Sequence, residues 1–152
     1  MAKFRYKFQV IFNLKKQLEE QAKNEFGKTV ARLEREKQTL RGILDAINMS
    51  INEFRTISGG RFTVETIKRY NAFIKKKKEE AAEQRLVIKK AEEEVEQARV
   101  ILIKAIQERE KFEKLKEKEY ERFFEEEKRR DNLIVDELVS YRSGSVSEGG
   151  GG

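Results

Sequence analysis

The sequence contains no proline, histidine, cysteine or tryptophan. Without cysteine the chain has neither a disulfide framework nor a nucleophilic thiolate. Without histidine it lacks the side chain that most often serves as a general base near neutral pH and as a ligand for transition metals. These absences remove the groups on which most acid–base and metal chemistry depends.

Long apolar runs are also missing, since no stretch approaches the roughly 20 apolar residues that span a bilayer. The first 18 residues are interrupted by Lys15 and Lys16, so no secretory signal is visible. We therefore expect a soluble cytoplasmic protein. Charged residues make up 41% of the chain, which is typical of long solvated helices, and the formal charge of +6 favours acidic partners or anionic lipid.

Apolar residues recur at alternating steps of three and four along two long segments. This spacing predicts helices whose apolar seams face a single partner helix. The first segment carries Phe8, Ile11, Leu14, Leu18, Ala22, Phe26, Thr29, Leu33, Leu40, Ile43, Ile47, Ile51 and Phe54. The second carries Ile67, Tyr70, Ile74, Ala81, Ile88, Ala91, Val95, Ala98, Leu102, Ala105, Phe112 and Phe123.

Ser58, Gly59 and Gly60 form the only turn signal between these segments, and Thr63 is suited to cap the second helix. A short connection makes two helices antiparallel neighbours. We therefore predict an all-α fold, a two-helix antiparallel coiled-coil hairpin in a single domain. The predicted ranges are 1–142 for the domain, about 4–57 for helix 1, 58–62 for the turn and 63–141 for helix 2.

Beyond Phe112 the seam of helix 2 deteriorates to charged residues such as Lys116 and Glu119, while many large apolar residues remain. Helix 1 is too short to cover them, so we predict an overhanging C-terminal helix. An unpaired helix is marginal in water, which implies a partner, with homodimerisation or fraying as alternatives. Residues 143–152 are rich in glycine and serine and are predicted to be a disordered tail.

Three motifs could indicate a function, and each also has a simpler structural interpretation. Residues 22–29 read AKNEFGKT, which resembles a relaxed phosphate-binding loop, but they fall on the seam of a continuous helix. The run from Lys75 to Lys78 is interpreted as a solvated helix face. The basic, aromatic segment 3–12 would either lie on a membrane surface or contact helix 2 or a partner.

A pair of helices also offers no interior for a convergent catalytic site. We therefore predict that the protein is not an enzyme and that it uses no cofactor, no metal and no small-molecule substrate.

Three stretches, in order, resemble the FliJ family of bacterial flagellar type III export proteins. They are the opening KFRYKFQVIFNLKKQLEE, the GG turn followed by IKRYNAFI, and the closing EEEKRRDNLIVDEL. The resemblance implies a coiled-coil hairpin similar to the central stalk of rotary ATPases. It also implies four kinds of partner: the flagellar export ATPase, its regulator, the cytoplasmic domain of the export gate and export chaperones.

The resemblance further implies two binding surfaces. The export-gate surface would comprise Ile43, Ile47, Phe54, Phe73, Lys77, Glu80 and Gln84. The surface facing the ATPase ring would comprise Phe4, Phe8, Tyr120, Phe123, Leu133, Ile134 and Leu138.

The leading hypothesis is a stalk and adaptor at the cytoplasmic face of the cell membrane, serving flagellum biogenesis, motility and chemotaxis. One alternative is the equivalent stalk of a virulence type III secretion system. Another is a basic coiled coil that binds nucleic acid or anionic membrane, although no nucleic acid is expected for the leading hypothesis. That last alternative predicts an affinity that falls steeply with salt.

Overall fold

The computed structural model describes residues 2–57, 59 and 61–148. Two helices, α1 (Gln9–Ile57) and α2 (Val64–Glu148), account for most of these residues, and the described ranges contain no strand. The predicted all-α fold with two long, mutually packed helices is confirmed. No helix in the described ranges is both long and apolar enough to cross a membrane.

Packing divides the chain into two compact units, and the single domain over residues 1–142 stays a prediction. Unit 1 comprises the residues up to Leu18 together with those from Ile106 onward, and unit 2 comprises Glu19–Ala105. Each unit contains a segment of both helices and is described by itself.

In unit 2 the helices meet along a narrow seam. Its most buried side chains are Ala81 and Ala91 on α2, only 2% and 3% exposed. Their small size allows the helix axes to approach closely. The seam also holds a polar layer, in which Gln84 Nε2 donates to the backbone carbonyl of Glu36 at 2.9 Å and to its carboxylate at 2.6 Å. This pairing fixes the antiparallel register, because it satisfies a half-buried amide at one position only.

The predicted seam is confirmed on α1 from Ala22 onward but is wrong near the start of that helix. Ile11, Leu14 and Leu18 were placed on the seam, yet all three are exposed. Phe12 is buried instead, and half-buried Lys15 follows it at the next seam position. On α2, Ile67 is likewise exposed, and the seam begins at Tyr70.

Helix α1 begins at Gln9, five residues later than the predicted start at Phe4. The reason lies in the spacing of Phe4, Tyr6 and Phe8, which alternate with charged residues. A period of two places side chains on one side of an extended chain, whereas a helix would turn successive members far apart. The Gln9 amide donates to the Tyr6 carbonyl at 3.1 Å, and this turn leads the extended segment into the helix.

Two of the residues that the sequence singled out for the interhelical turn and the cap of α2, Gly59 and Thr63, are described in the structure. Gly59 has a φ of 43°, in the left-handed region that favours glycine. The Thr66 amide donates to Thr63 Oγ1 at 3.2 Å, which confirms Thr63 as the cap of α2. Ser58 and Gly60, which also belong to the predicted turn, lie outside the described residues.

Helix α2 extends to Glu148, past the predicted end at residue 141. The predicted tail, residues 143–152, therefore overlaps this helix at residues 143–148, and its disorder stays a prediction. The hydroxyls of Ser143 and Ser145 donate to the carbonyls of Ser140 and Arg142 at 3.0 and 2.9 Å, so these serines bond within the helix and do not end it. Residues 149–152, the rest of the predicted tail, lie outside the described residues.

Replacing Ala81 with leucine tests the close helix approach. The added side chain has no room at a position that is 2% exposed, so Ala81→Leu should lower the free energy of unfolding by about 1–3 kcal/mol. Ala82→Leu is the matched control, because Ala82 is exposed on the same turn. Urea unfolding followed by circular dichroism measures both, and equal stability of the two variants would contradict the proposed packing.

Candidate functional site

The phosphate-loop string at residues 22–29 lies inside α1. Its backbone amides are engaged in the helix, Thr29 Oγ1 donates to the Phe26 carbonyl at 2.7 Å, and Lys28 Nζ contacts a Glu25 carboxylate oxygen at 3.3 Å. A phosphate loop needs free amides that curl around the phosphates. This string therefore has the geometry of ordinary helix surface and seam.

Unit 1 contains a group of interlocking aromatic rings, here called the aromatic cluster. It joins the N-terminal segment and the first turn of α1 to α2, and most of its ring pairs meet edge to face at centroid separations between 5.3 and 6.4 Å. The Tyr6 hydroxyl anchors it by donating to the Phe112 carbonyl at 2.9 Å. The members are Phe4, Tyr6, Phe8, Phe12, Phe112, Tyr120 and Phe123.

Lysines surround the aromatic cluster and make cation–π contacts with it. Lys16 Nζ lies 4.2 Å from the centroid of the Phe12 ring, and Lys7 Nζ lies 4.9 Å from that of Phe8. Burial raises the pKa of the Tyr6 phenol above its ordinary value, and the negative charge of Glu119 raises it further. The phenol is therefore held in its neutral, hydrogen-bond-donating form.

The residues predicted to face the ATPase ring differ in how far their side chains are exposed. Phe4, Phe8 and Phe123 are half-buried in the aromatic cluster, where they hold the N-terminal segment against α2. Tyr120 contacts Phe4 but remains half exposed. Leu133, Ile134 and Leu138 are exposed on α2.

These exposed residues belong to a larger surface on α2, here called the C-terminal apolar face. Its large apolar side chains are between 55% and 77% exposed, and every side chain described from residue 128 to residue 145 is exposed. Three of its seven members, Leu133, Ile134 and Leu138, were assigned from the sequence to the surface facing the ATPase ring. The members are Phe124, Leu133, Ile134, Val135, Leu138, Val139 and Tyr141.

Unit 2 has a groove beside the interhelical turn, here called the turn groove, with a volume of about 530 Å³. A three-ring stack forms part of its wall: Phe54 lies between Phe62 and Tyr70, with centroids 4.2 and 4.0 Å apart and nearly parallel planes. The lining residues are Ser50, Glu53, Phe54, Ile57, Arg61, Phe62, Thr66, Arg69, Tyr70 and Phe73. Sequence reasoning missed Phe62, although a lone aromatic residue in a short turn was a visible signal.

The structure brings only some of the predicted gate residues to one surface. Phe54 and Phe73 both line the turn groove. Lys77 Nζ lies 5.7 Å from the centroid of the exposed Phe73 ring and 3.2 Å from a Glu80 carboxylate oxygen, so these three are neighbours on α2. The other three predicted residues are engaged in the seam: Ile43 is half-buried, Ile47 is buried, and Gln84 is bonded to Glu36.

The sequence profile described as "Flagellar FliJ protein" matches residues 4–146. The chain belongs to the FliJ family. Family membership makes it, in general terms, a component of flagellar and type III protein export. A comparison with curated protein sequences gave no significant match.

The fold is shared with a solved structure from Chlamydia trachomatis that is described as a candidate YscO homolog. The two chains superpose with a TM-score of 0.63 and 22% sequence identity, over 96% of this chain and 99% of the other. At this identity the likeness establishes the fold of this FliJ family member and nothing about its partners.

Tyr6→Phe removes the hydroxyl that joins the N-terminal segment to α2. Loss of this bond should cost about 0.5–1.5 kcal/mol of unfolding free energy near neutral pH. Since the folded pKa is raised above 10.0, the contribution of Tyr6 is complete below that value and is lost as pH rises through the folded pKa. The difference between wild type and Tyr6→Phe should therefore be constant up to about pH 9 and shrink above pH 10.

Denaturant unfolding across this pH range measures the difference. Tyr141→Phe is the control, because Tyr141 is 77% exposed. A difference that grew with rising pH, or one shared by Tyr141→Phe, would contradict the role of Tyr6.

Proposed function

We propose that this chain is a non-enzymatic stalk and adaptor of the flagellar export apparatus. It binds the export ATPase ring, promotes assembly of that ring and couples it to the membrane export gate. One observation carries the proposal, namely the C-terminal apolar face, an extended set of large apolar side chains that unit 1 leaves uncovered.

The free-energy cost of exposing these apolar side chains to water supports the existence of a partner that covers them. Burying one large aliphatic or aromatic side chain is worth about 1.5–3 kcal/mol, so the seven residues of this face represent a large unrealised stabilisation. Monomeric proteins seldom expose this many large apolar side chains on one stretch of helix unless another molecule covers some of them. Ile134, Leu138 and Tyr141 recur at helical spacing, so they present one stripe to a partner.

A second surface supports the coupling part of the proposal. The turn groove and its neighbours Phe73, Lys77 and Glu80 lie in unit 2, on residues other than those of the C-terminal apolar face. The two surfaces share no residue, so one chain can engage two partners at once. We assign the C-terminal apolar face to the ATPase ring and the turn groove to the cytoplasmic domain of the gate.

The remaining roles follow from the same proposal. The regulator of the ATPase and the export chaperones are further partners, and the chain acts in the cytoplasm at the inner face of the cell membrane. It thereby serves flagellum biogenesis, motility and chemotaxis. All ATP hydrolysis belongs to the ATPase, because the only nucleotide-like string of the chain lies within a helix.

A virulence-type secretion stalk is the second candidate function. The fold shared with the candidate YscO homolog favours it, since that fold spans nearly the whole of both chains. Binding to a flagellar rather than a virulence-type export ATPase distinguishes the two candidates.

The proposal is tested by adding the purified chain to the purified flagellar export ATPase. Sedimentation measures the fraction of ATPase in rings, and phosphate release measures its turnover. The fraction of ATPase in rings and its turnover should both rise when the chain is added. The Lys28→Ala variant of the chain should raise them as much as the wild type does. An absence of binding, or hydrolysis by the chain alone that Lys28→Ala abolishes, would contradict the proposal.

The double variant Ile134→Ala, Leu138→Ala tests the assigned surface. It should weaken ATPase binding by about 1–4 kcal/mol if these residues are central to the contact, as measured by titration calorimetry. Gate binding should be unchanged. Asn132→Ala, Ser140→Ala is the matched control on another face of the same exposed stretch, and equal losses in both double variants would contradict the assignment.

A further inference from the structure

The turn groove combines an apolar wall with two positively charged side chains that have no partner among the described residues. The stacked rings of Phe54, Phe62 and Tyr70 provide the wall, and Arg61 and Arg69 stand at the edge. Among the described residues, neither guanidinium has a hydrogen bond or an ion pair, and both side chains are exposed. Two unpaired guanidinium groups beside aromatic rings are the donors that a carboxylate ligand requires.

The wall of the groove is built before any ligand arrives. Phe62 comes from the turn, Phe54 from the last turns of α1 and Tyr70 from the first turns of α2, so one stack joins all three segments. A preformed site binds more tightly than one that must be ordered on binding. Phe73, at 41% exposed, extends the apolar surface toward solvent.

The volume and the charge of the turn groove indicate what kind of ligand it binds. A volume of about 530 Å³ accommodates a few side chains of a peptide. The lining residues carry two positive charges, on Arg61 and Arg69, against one negative charge on Glu53. Close by in the sequence, Arg55 and Lys68 add two positive charges and Glu65 adds one negative charge, so the balance stays positive. The field in the groove therefore favours an acidic ligand.

We infer that the turn groove binds a peptide segment in which an aromatic or aliphatic side chain lies next to an aspartate or glutamate. The apolar side chain enters beside the ring stack, and the carboxylate accepts hydrogen bonds from Arg61 and Arg69. This inference rests on the proposed function, since it takes the segment to belong to the cytoplasmic domain of the export gate.

The test compares two double variants of the full chain for binding to the purified cytoplasmic domain of the gate. Arg61→Gln, Arg69→Gln removes the two charges at the groove. Arg55→Gln, Lys68→Gln removes two charges from the same region, at positions that do not line the groove. The first pair should weaken binding about tenfold or more, because charge-assisted bonds are lost, and the second less than about twofold.

Circular dichroism of each variant establishes that the helices are intact. A lower salt dependence of the affinity in Arg61→Gln, Arg69→Gln than in the wild type would give independent support. Equal losses in both double variants would show a general charge effect and would overturn the inference. Unchanged binding by the groove variant would overturn it as well, while leaving the proposed gate contact in place.

A peptide array that covers the gate domain provides the second measurement. Peptides captured by the wild-type chain and lost with Arg61→Gln, Arg69→Gln should contain an acidic residue beside an aromatic or aliphatic one. Capture of basic peptides only would overturn the inference. If the wild-type chain does not bind the gate domain at all, the proposed gate contact fails and the inference fails with it. Self-association abolished by the groove variant would instead identify a second copy of the chain as the occupant.

Discussion

Burial of one narrow stripe of each helix against the other is the interaction on which the rest of this structure depends. The stripe is one side chain deep, and its most buried members include the small residues Ala81 and Ala91. Such a seam stabilises two long helices, while most of the other side chains described on them face water.

The two surfaces to which we assign partners both carry exposed apolar side chains. In the aromatic cluster, Phe4, Phe8 and Phe123 hold the N-terminal segment against α2. These rings therefore stabilise the fold, whether or not they also border an interface. Farther along α2, Ile134 and Leu138 have no such internal role. The residues that the family resemblance assigns to one surface therefore divide into two sets in the structure. One set holds the N-terminal segment against α2, and the other set is exposed.

Periodicity was sufficient to predict the two helices, their antiparallel pairing and the seam from Ala22 onward, because steps of three and four persist there. It failed for the start of helix 1, because Phe4, Tyr6 and Phe8 recur at every second residue and the segment before Gln9 is not helical. It also did not single out Phe62, because this residue acquires a role only when the turn brings its ring onto Phe54. Local patterns specify helices, whereas contacts across a turn depend on the folded arrangement.

Site-specific photocrosslinking tests most directly the central claim that separate surfaces of this chain engage separate partners. A photoreactive side chain would be placed at Ile134 in one variant and at Phe73 in another, in cells that assemble the export apparatus. The account predicts crosslinks from residue 134 to the export ATPase and from residue 73 to the cytoplasmic domain of the gate. Crosslinks from both positions to the same partner, or the reverse assignment, would contradict it.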